Sequence, residues 1–173
     1  KRLYPHTPVV VGGIEASLRR LTHYDYWSDK LQRSILETSG ADLLIYGMGD
    51  KPIREVAKAM RNGFNMKLLR GLRQVGFMAD EEYVTRLYNG KTIVLESYEE
   101  CVADKDKFGR NFTEIEVLSN MMECNTTLVE RVGDRYVVIT PPHERLTTEE
   151  LDHSFDLPDE RAPHPRYKGK GDI

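Results

Sequence analysis

The first candidate for chemistry is a pair of glycines, Gly12 and Gly13, directly after three valines at residues 9–11. A short β-branched run is typical of a buried parallel strand, and glycine leaves the backbone N–H groups that follow it open to a ligand. Glu15 opens a helix just behind this pair and could accept hydrogen bonds from a bound molecule. Glycine pairs also occur in such turns for steric reasons alone, so the residues by themselves leave both interpretations open.

A second turn of the same kind follows residues 42–46 (DLLIY), the next apolar run along the chain. Gly47 and Gly49 make the turn tight, and Asp50 is placed to cap the helix that follows. Right-handed crossovers put the carboxyl ends of parallel strands at one edge of the sheet, where ligands bind in open α/β folds. We therefore predict a cofactor-binding edge. The six predicted cofactor-binding residues are Gly12, Gly13, Glu15, Gly47, Gly49 and Asp50.

Residues 23–29 (HYDYWSD) are dense in reactive side chains. A catalytic His–Asp pair could be drawn from them, and Trp27 could stack on a ring, but adjacent residues of a turn point in different directions. We favour the structural interpretation, in which the aromatic side chains anchor a loop on the core. The histidines at 143, 153 and 164 have spacings that match no compact metal motif. The residues therefore predict neither a catalytic residue nor a metal ligand.

The composition describes a globular chain: 39% of its 173 residues are hydrophobic, 31% are charged and the net charge is −3. That balance lacks the basic footprint of a protein that binds nucleic acid or an anionic membrane. We recognise no transmembrane run and no signal peptide, so we expect a cytoplasmic protein. Cys101 and Cys124 fit no zinc or iron–sulfur ligand spacing, and we expect both to be reduced thiols.

The elements that position these groups predict an α/β fold class. We expect a partial Rossmann-like parallel sheet with flanking helices, followed by an α+β connector. Apolar spacing predicts a helix over residues 30–36, capped by Ser28 or Asp29. The dipeptides Asn89-Gly90 and Gly133-Asp134 are typical hairpin turns, and the first of them predicts that residues 83–87 pair with residues 92–96.

Three parts are expected along the chain. Residues 1–75 read as a partial Rossmann-like N-terminal domain, residues 76–157 as a connector with a hairpin and helices, and residues 158–173 as an extended linker. Within the connector, Thr147 and Glu150 form a capping pattern before a short helix. Because the first strand comes almost at once, we expect the sequence to begin inside a domain.

Several long stretches give the chain a specific resemblance. Residues 8–29 (PVVVGGIEASLRRLTHYDYWSD) and 41–63 (ADLLIYGMGDKPIREVAKAMRNG) closely resemble the amino-terminal region of YgiQ-type radical S-adenosylmethionine proteins. Residues 97–108, 133–158 and 161–167 are similar to later segments of the same family. With a looser middle, the resemblance covers nearly the whole chain.

This resemblance implies an iron–sulfur enzyme of unknown substrate. Its first domain is similar to the cobalamin-binding-like Rossmann-like domain of many such enzymes. There Gly12 and Gly13 match the glycine pair that ends a strand, and Gly47, Gly49 and Asp50 match a G-x-G-E/D turn. The core of the family carries Cys-x-x-x-Cys-x-x-Cys, which binds a 4Fe–4S cluster and S-adenosylmethionine. That motif is absent here and is expected beyond the end of this sequence.

The departures from the family shape the functional hypothesis. The Asp-x-His-x-x-Gly pattern that ligates cobalamin is also absent, which makes cobalamin doubtful and predicts no cofactor held by this chain alone. We expect a non-catalytic N-terminal fragment whose partner is the radical S-adenosylmethionine core of the same polypeptide, with a homodimer through an exposed sheet edge left open. The alternative is a protein-interaction module of Rossmann-like fold that docks through residues 23–29. A free-standing nucleotide-binding domain is less favoured because G-x-G-x-x-G is missing.

Overall fold

Short runs of aliphatic and β-branched residues form the strands of this chain, and longer amphipathic segments form the helices between them. A computed structural model describes residues 3–87, 91–158, 162 and 165–167. The strands are β1 Val10–Val11, β2 His23–Asp25, β3 Lys30–Gln32, β4 Leu43–Ile45, β5 Val75–Ala79, β6 Thr92–Val94, β7 Thr127–Val132 and β8 Arg135–Ile139. The helices are α1 Ile14–Leu18, α2 Ile35–Ser39, α3 Asp50–Arg61, α4 Glu81–Leu87, α5 Tyr98–Ala103, α6 Lys105–Ser119 and α7 Thr148–Phe155, with 3₁₀ turns at Leu68–Gly71 and Pro165–Tyr167. Of these described helices, none is both long enough and apolar enough to cross a bilayer.

Within the described residues, six strands form one sheet in the order β1-β4-β5-β8-β7-β6, and β2 and β3 form a separate hairpin. The pairs β1–β4 and β6–β7 are parallel, whereas β4–β5, β5–β8 and β7–β8 are antiparallel. The α/β class with a Rossmann-like arrangement is confirmed, and the sheet is parallel only in part. One reason is the connection at Gly133-Asp134, because a turn of two residues joins only antiparallel strands.

The core lies on both faces of this sheet because side chains alternate along its strands. On β4, Leu44 packs in the cluster on one face, and Leu43 and Ile45 pack in the cluster on the other. Strand β5 is buried along its whole length. Gly76 within it leaves room for a neighbour, because a Cβ there would lie 2.7 Å from Cδ1 of Ile139. The two glycine turns follow β1 and β4, at the ends of strands that adjoin this buried centre.

The helix predicted over residues 30–36 is wrong, because this segment forms strand β3 and the start of α2. Asp29 adopts a left-handed φ of 53°. Asp25 accepts hydrogen bonds from the backbone N–H and the hydroxyl of Ser28, at 3.1 and 2.6 Å. The chain therefore reverses, and β3 pairs with β2. Ser34 caps the following helix, where its hydroxyl accepts a backbone N–H at 3.2 Å.

The predicted hairpin between residues 83–87 and 92–96 is also wrong, because its first arm is helix α4. Asp80 accepts the backbone N–H of Tyr83 at 2.8 Å and so caps this helix. The Tyr83 ring then packs edge-on against Phe77, with ring centroids 5.5 Å apart. Strand β6 pairs parallel with β7 instead.

Two predicted local signals are confirmed. Gly133 adopts a φ of 62° in the turn that pairs β7 with β8. Thr147 and Glu150 form the predicted capping box at the start of α7. The predicted turn at Asn89-Gly90 lies outside the described residues, as does most of the tail at residues 158–173.

The chain divides into two compact units, Lys1–His143 and Glu144–Ile173. The first contains the whole described sheet, and the second contains α7. Strands on both sides of residue 75 belong to this one sheet, since β4 pairs with β5. The division into an N-terminal domain, a connector and a linker stays a prediction about the organisation of the protein.

Candidate functional site

A cleft opens at the carboxyl ends of β1 and β4, which meet because the two strands are parallel, with Val10 opposite Leu43. Its volume is about 400 Å³. Four of the six predicted cofactor-binding residues line this cleft: Gly12, Gly13, Gly49 and Asp50. That they bind a cofactor stays a prediction. The cleft is lined by Val10, Val11, Gly12, Gly13, Ile45, Gly49, Asp50 and Ile53.

The backbone geometry explains why glycine occupies positions 12 and 13. Gly13 adopts a φ of 89°, in the left-handed region where a residue with a Cβ is strained. A Cβ on Gly12 would lie 3.3 Å from the carbonyl oxygen of Ile45, on the neighbouring strand. The strand ends therefore approach closely because Gly12 has no side chain. The glycine pair has a steric role, and it also leaves one wall of the cleft as bare backbone.

Ser17 on α1 joins the two glycine turns. Its hydroxyl donates to the carbonyl oxygen of Gly13 at 2.8 Å. The same hydroxyl accepts the backbone N–H of Gly47 at 3.0 Å. One side chain thus fixes the distance between turns that come from separate parts of the sequence. Sequence reasoning missed Ser17. The feature that could have pointed to it is its position one helical turn after the glycine pair.

The other wall of the cleft is the start of α3. Asp50 lies in the first turn of this helix, where a negative charge interacts favourably with the helix dipole. The same charge opposes a second anion, so the cleft is poorly suited to phosphate groups and gives no support to nucleotide binding. Gly49 has an ordinary φ of −80°, and a Cβ there would lie 3.4 Å from Cγ2 of Ile45. A larger side chain at this position would therefore occupy the cleft without backbone strain.

The two remaining predicted residues lie elsewhere. Glu15 is exposed on α1, where its carboxylate pairs with Arg19 at 2.7 Å, and it does not line the cleft. Gly47 has a φ of 66° and lines a separate cavity, next to Tyr46. The periodicity of α1 explains why Glu15 does not reach the cleft. Glu15 lies on the solvent side of a short helix whose buried residue is Ala16.

Gln74 holds the second glycine turn in place. It is buried, and its Nε2 donates to the carbonyl oxygens of Tyr46 and Met48, both at 2.6 Å. Its Oε1 accepts the backbone N–H of His143 at 3.1 Å. Gln74 has a φ of 61°, which is uncommon for a residue with a side chain. Nothing in the local sequence distinguishes this glutamine, because its partners come from distant segments.

The HYDYWSD segment does not assemble a catalytic pair. Nδ1 of His23 lies 3.1 Å from a backbone carbonyl oxygen, and the nearby carboxylate of Asp25 is engaged in the hairpin turn. Trp27 and Tyr26 are 88% and 77% exposed, with their rings edge-on at 5.9 Å. The expectation that these two aromatic residues anchor a loop on the core is wrong. They stand at the tip of the β2–β3 hairpin and face solvent.

The cysteines do not form a cluster site. Cys101 is buried on α5, where Nδ2 of Asn111 donates to its Sγ at 3.2 Å. Burial raises the pKa of the Cys101 thiol to about 11, which disfavours a thiolate ligand. Cys124 is also buried and lines the cavity next to Gly47. In the described part of the chain, no three His, Cys, Asp or Glu side chains lie together as a metal site. The residues of this chain therefore do not fit a 4Fe–4S cluster, which needs several thiolates together.

Glu130 is a buried acid that the sequence does not single out. It lies on β7 with 1% of its surface exposed, on the same face as the buried residues Leu128 and Val132. Its Oε2 accepts the backbone N–H of Thr22 at 2.9 Å. Burial raises the pKa of Glu130 to about 7, and the hydrogen bond from Thr22 opposes this rise.

The fold and this cleft define an α/β domain with a ligand-type cleft at the ends of two parallel strands, and with no assembled catalytic group among the described residues. The whole chain, residues 1–173, matches the family model described as Radical SAM N-terminal. The chain belongs to this family. The resemblance to YgiQ-type radical S-adenosylmethionine proteins is thereby confirmed.

Curated relatives carry the name UPF0313 protein. The one from Porphyromonas gingivalis is 50% identical over 177 residues, which covers 98% of this chain and 26% of the relative. The one from Bacteroides thetaiotaomicron is 49% identical over 179 residues, covering 98% of this chain and 29% of the relative. The one from Clostridium perfringens is 40% identical over 173 residues, covering 100% and 26%. The chain thus spans 26 to 29% of the length of these relatives. No solved structure matches it.

Proposed function

We propose that this chain is the N-terminal region of a radical S-adenosylmethionine iron–sulfur enzyme of unknown substrate. In that enzyme it shapes a ligand-facing edge and performs no chemistry itself. The observation that carries the proposal is the cleft at the ends of β1 and β4, in a chain that belongs to the Radical SAM N-terminal family. Its partner is the radical S-adenosylmethionine core of the same polypeptide, in the cytoplasm, where buried thiols such as Cys101 remain reduced.

The side chains of this chain indicate which roles it can have and which belong to the core of the enzyme. The thiols of this chain do not fit a cluster, so the 4Fe–4S cluster and S-adenosylmethionine belong to the longer protein. The cleft offers bare backbone at Gly12 and Gly13 and a carboxylate at Asp50. These groups favour a neutral or hydrogen-bond-donating part of a ligand over a phosphate. No histidine among the residues that the structure describes lines the cleft, and the proposal does not include cobalamin.

The test uses the protein expressed from its complete gene, reconstituted with iron and sulfide without oxygen. We expect it to form an iron–sulfur cluster and, with a reductant, to convert S-adenosylmethionine into 5′-deoxyadenosine. Residues 1–173 expressed alone are expected to form neither. Failure of the complete protein to bind a cluster or to cleave S-adenosylmethionine would overturn the proposal.

The role of the cleft is tested by filling it. Gly49→Leu places a side chain in the cleft at a backbone angle that leucine adopts freely. We expect the rate of S-adenosylmethionine cleavage or substrate turnover to fall by about tenfold or more, which is the loss of roughly 1.4 kcal/mol of binding. The cluster absorbance is expected to stay unchanged. The matched control is Gly109→Leu on α6, where a Cβ meets nothing within 4 Å. If Gly49→Leu and Gly109→Leu cleave S-adenosylmethionine at equal rates, the cleft has no part in the function.

A second candidate function is supported by the β2–β3 hairpin. Exposure of Trp27 and Tyr26 at its tip leaves a large aromatic surface in solvent, which is typical of an interaction site. In this alternative the chain is a protein-interaction module. Replacing both residues by alanine would then abolish binding of a partner while cluster formation and S-adenosylmethionine cleavage stay intact. Retained partner binding would contradict it.

A further inference from the structure

A second cavity lies next to the Gly47 turn and is distinct from the cleft. Its volume is about 290 Å³, and we call it the Arg20 cavity. One part of its wall is apolar and is formed by Ile115, Leu118, Met121, Leu128 and Ile139. The other part is polar and is formed by Ser17, Arg20, Tyr46, Ser119, Thr126 and Thr140.

Of the described residues that line this cavity, Arg20 is the only charged one. Its guanidinium lies over the Tyr46 ring, 5.2 Å from the ring centroid. Nη1 donates to the carbonyl oxygen of Ser17 at 2.6 Å. Nε is buried and has no hydrogen-bond partner among the described residues. Nε is one of the two donors of the edge that binds carboxylates through two parallel hydrogen bonds, and it is left without an acceptor in the described part of the chain.

No carboxylate among the described residues is paired with this guanidinium. Glu116 is exposed on α6 and acts on Arg20 through its field, without an ion pair. The nearby Arg73 adds positive charge, and its own guanidinium is bonded to the carbonyl oxygens of Pro142 and Cys124, at 2.8 and 3.1 Å. Burial lowers the pKa of Arg20, in keeping with a cation that lacks a counterion. An anion in the cavity would offset this cost of burial.

The volume and the lining residues of the Arg20 cavity limit the kind of anion that it can bind. A volume near 290 Å³ corresponds to roughly ten water molecules at about 30 Å³ each, and so to a ligand of about ten non-hydrogen atoms. The apolar wall has no partners for phosphate or sulfate, which accept hydrogen bonds in all directions. An alkyl chain would instead gain from burial against the aliphatic side chains.

We propose that the Arg20 cavity binds a small monocarboxylate with an aliphatic chain. The carboxylate accepts hydrogen bonds from Nε and Nη2 of Arg20, and the chain packs against the apolar wall. This site is separate from the cleft of the proposed function and needs no cluster. A direct binding measurement therefore tests it independently of S-adenosylmethionine cleavage.

The experiment is calorimetric titration of the protein expressed from its complete gene, with hexanoate, hexan-1-ol and hexylammonium as probes. We expect saturable binding of hexanoate, at least about tenfold weaker binding of the alcohol, and no binding of the ammonium ion. Arg20→Gln is expected to weaken hexanoate about 10- to 100-fold, which is the range for a hydrogen bond to a charged group. Arg19→Gln is the matched control, because this neighbour pairs with Glu15 outside the cavity, and it is expected to bind as the unchanged protein does.

Three results would overturn the inference: no saturable binding of hexanoate, equal binding of hexanoate and hexan-1-ol, or undiminished binding in Arg20→Gln. Inorganic phosphate that binds as tightly as hexanoate would overturn it too, because the apolar wall would then have no role. If Arg20→Gln does not fold, the comparison of the three probes on the unchanged protein decides alone.

Discussion

Replacing Glu130 by glutamine should make the chain more stable above neutral pH. In the folded chain this carboxyl is buried, and burial raises its pKa from the ordinary 4.5 to about 7. Above pH 7 the folded chain therefore contains a buried negative charge with no counterion among the described residues. Glutamine has the same shape, stays neutral, and keeps an oxygen that can accept the backbone N–H of Thr22.

The size and sign of the effect follow from the two pKa values. Between pH 4.5 and 7 the unfolded chain has released the proton of Glu130 while the folded chain still holds it. The free energy of unfolding therefore falls as the pH rises through this window and levels off above it. A shift of about 2.5 pKa units corresponds to a loss of roughly 3 to 4 kcal/mol, at about 1.4 kcal/mol per unit. Glu130→Gln should remove this loss and match the unchanged chain below pH 4.5.

The measurement is urea unfolding of the chain between pH 4 and 8, followed by circular dichroism. The single tryptophan, Trp27, is a poor reporter because it is 88% exposed in the folded chain. Glu123→Gln is the control, since Glu123 is exposed and its replacement should leave the pH dependence intact. The reasoning is refuted if Glu130→Gln is less stable than the unchanged chain at pH 8, or if the variant keeps the same decline between pH 4.5 and 7.

Three further predictions concern packing, capping and thiol chemistry. Gly76→Ala should lower the free energy of unfolding by about 1–3 kcal/mol, because the new Cβ would lie 2.7 Å from a core methyl group; Gly71→Ala, with open space around it, should change the same urea measurement by less than about 0.5 kcal/mol. Ser34→Ala should cost about 1–2 kcal/mol, because the hydroxyl caps α2 and donates to the carbonyl oxygen of Arg20 at 2.7 Å, and an unchanged unfolding midpoint would contradict this. Cys101 should resist iodoacetamide at pH 8, where a pKa of about 11 leaves roughly 0.1% thiolate, and mass spectrometry should find it alkylated only after unfolding.

Local signals in the sequence predicted the parts of the fold that local chemistry determines. The two glycine turns follow parallel strands and bring Gly12 and Gly49 to one cleft, as the right-handed crossover rule requires. The capping box at Thr147 needed only the residues beside it. The helix prediction for residues 30–36 is wrong because their apolar spacing fits a helix. The hydrogen bonds between Asp25 and Ser28 reverse the chain just before this segment, and its first residues pair as a strand.

The residues that sequence reasoning missed depend on distant partners. Glu130 and Thr22 are 108 positions apart, and neither suggests the other when read along the chain. Gln74 bonds to Tyr46 from 28 positions away. Arg20 is one of many arginines, and only the fold shows that it lines a cavity in which no described residue supplies a carboxylate. Such roles arise from tertiary packing, which no local pattern encodes.

Ser17 has a consequence for how the two cavities respond to ligands. Its hydroxyl bonds to the Gly13 and Gly47 turns, and its carbonyl oxygen accepts from the guanidinium of Arg20. A carboxylate held by Nε and Nη2 would pull on the side chain whose Nη1 bonds to this oxygen, and so on the residue that links the two glycine turns. The two binding equilibria then share one free-energy term, and linkage requires that term to be equal in both directions. We therefore expect a ligand bound in one cavity to change the affinity of the other, by the same factor in both directions.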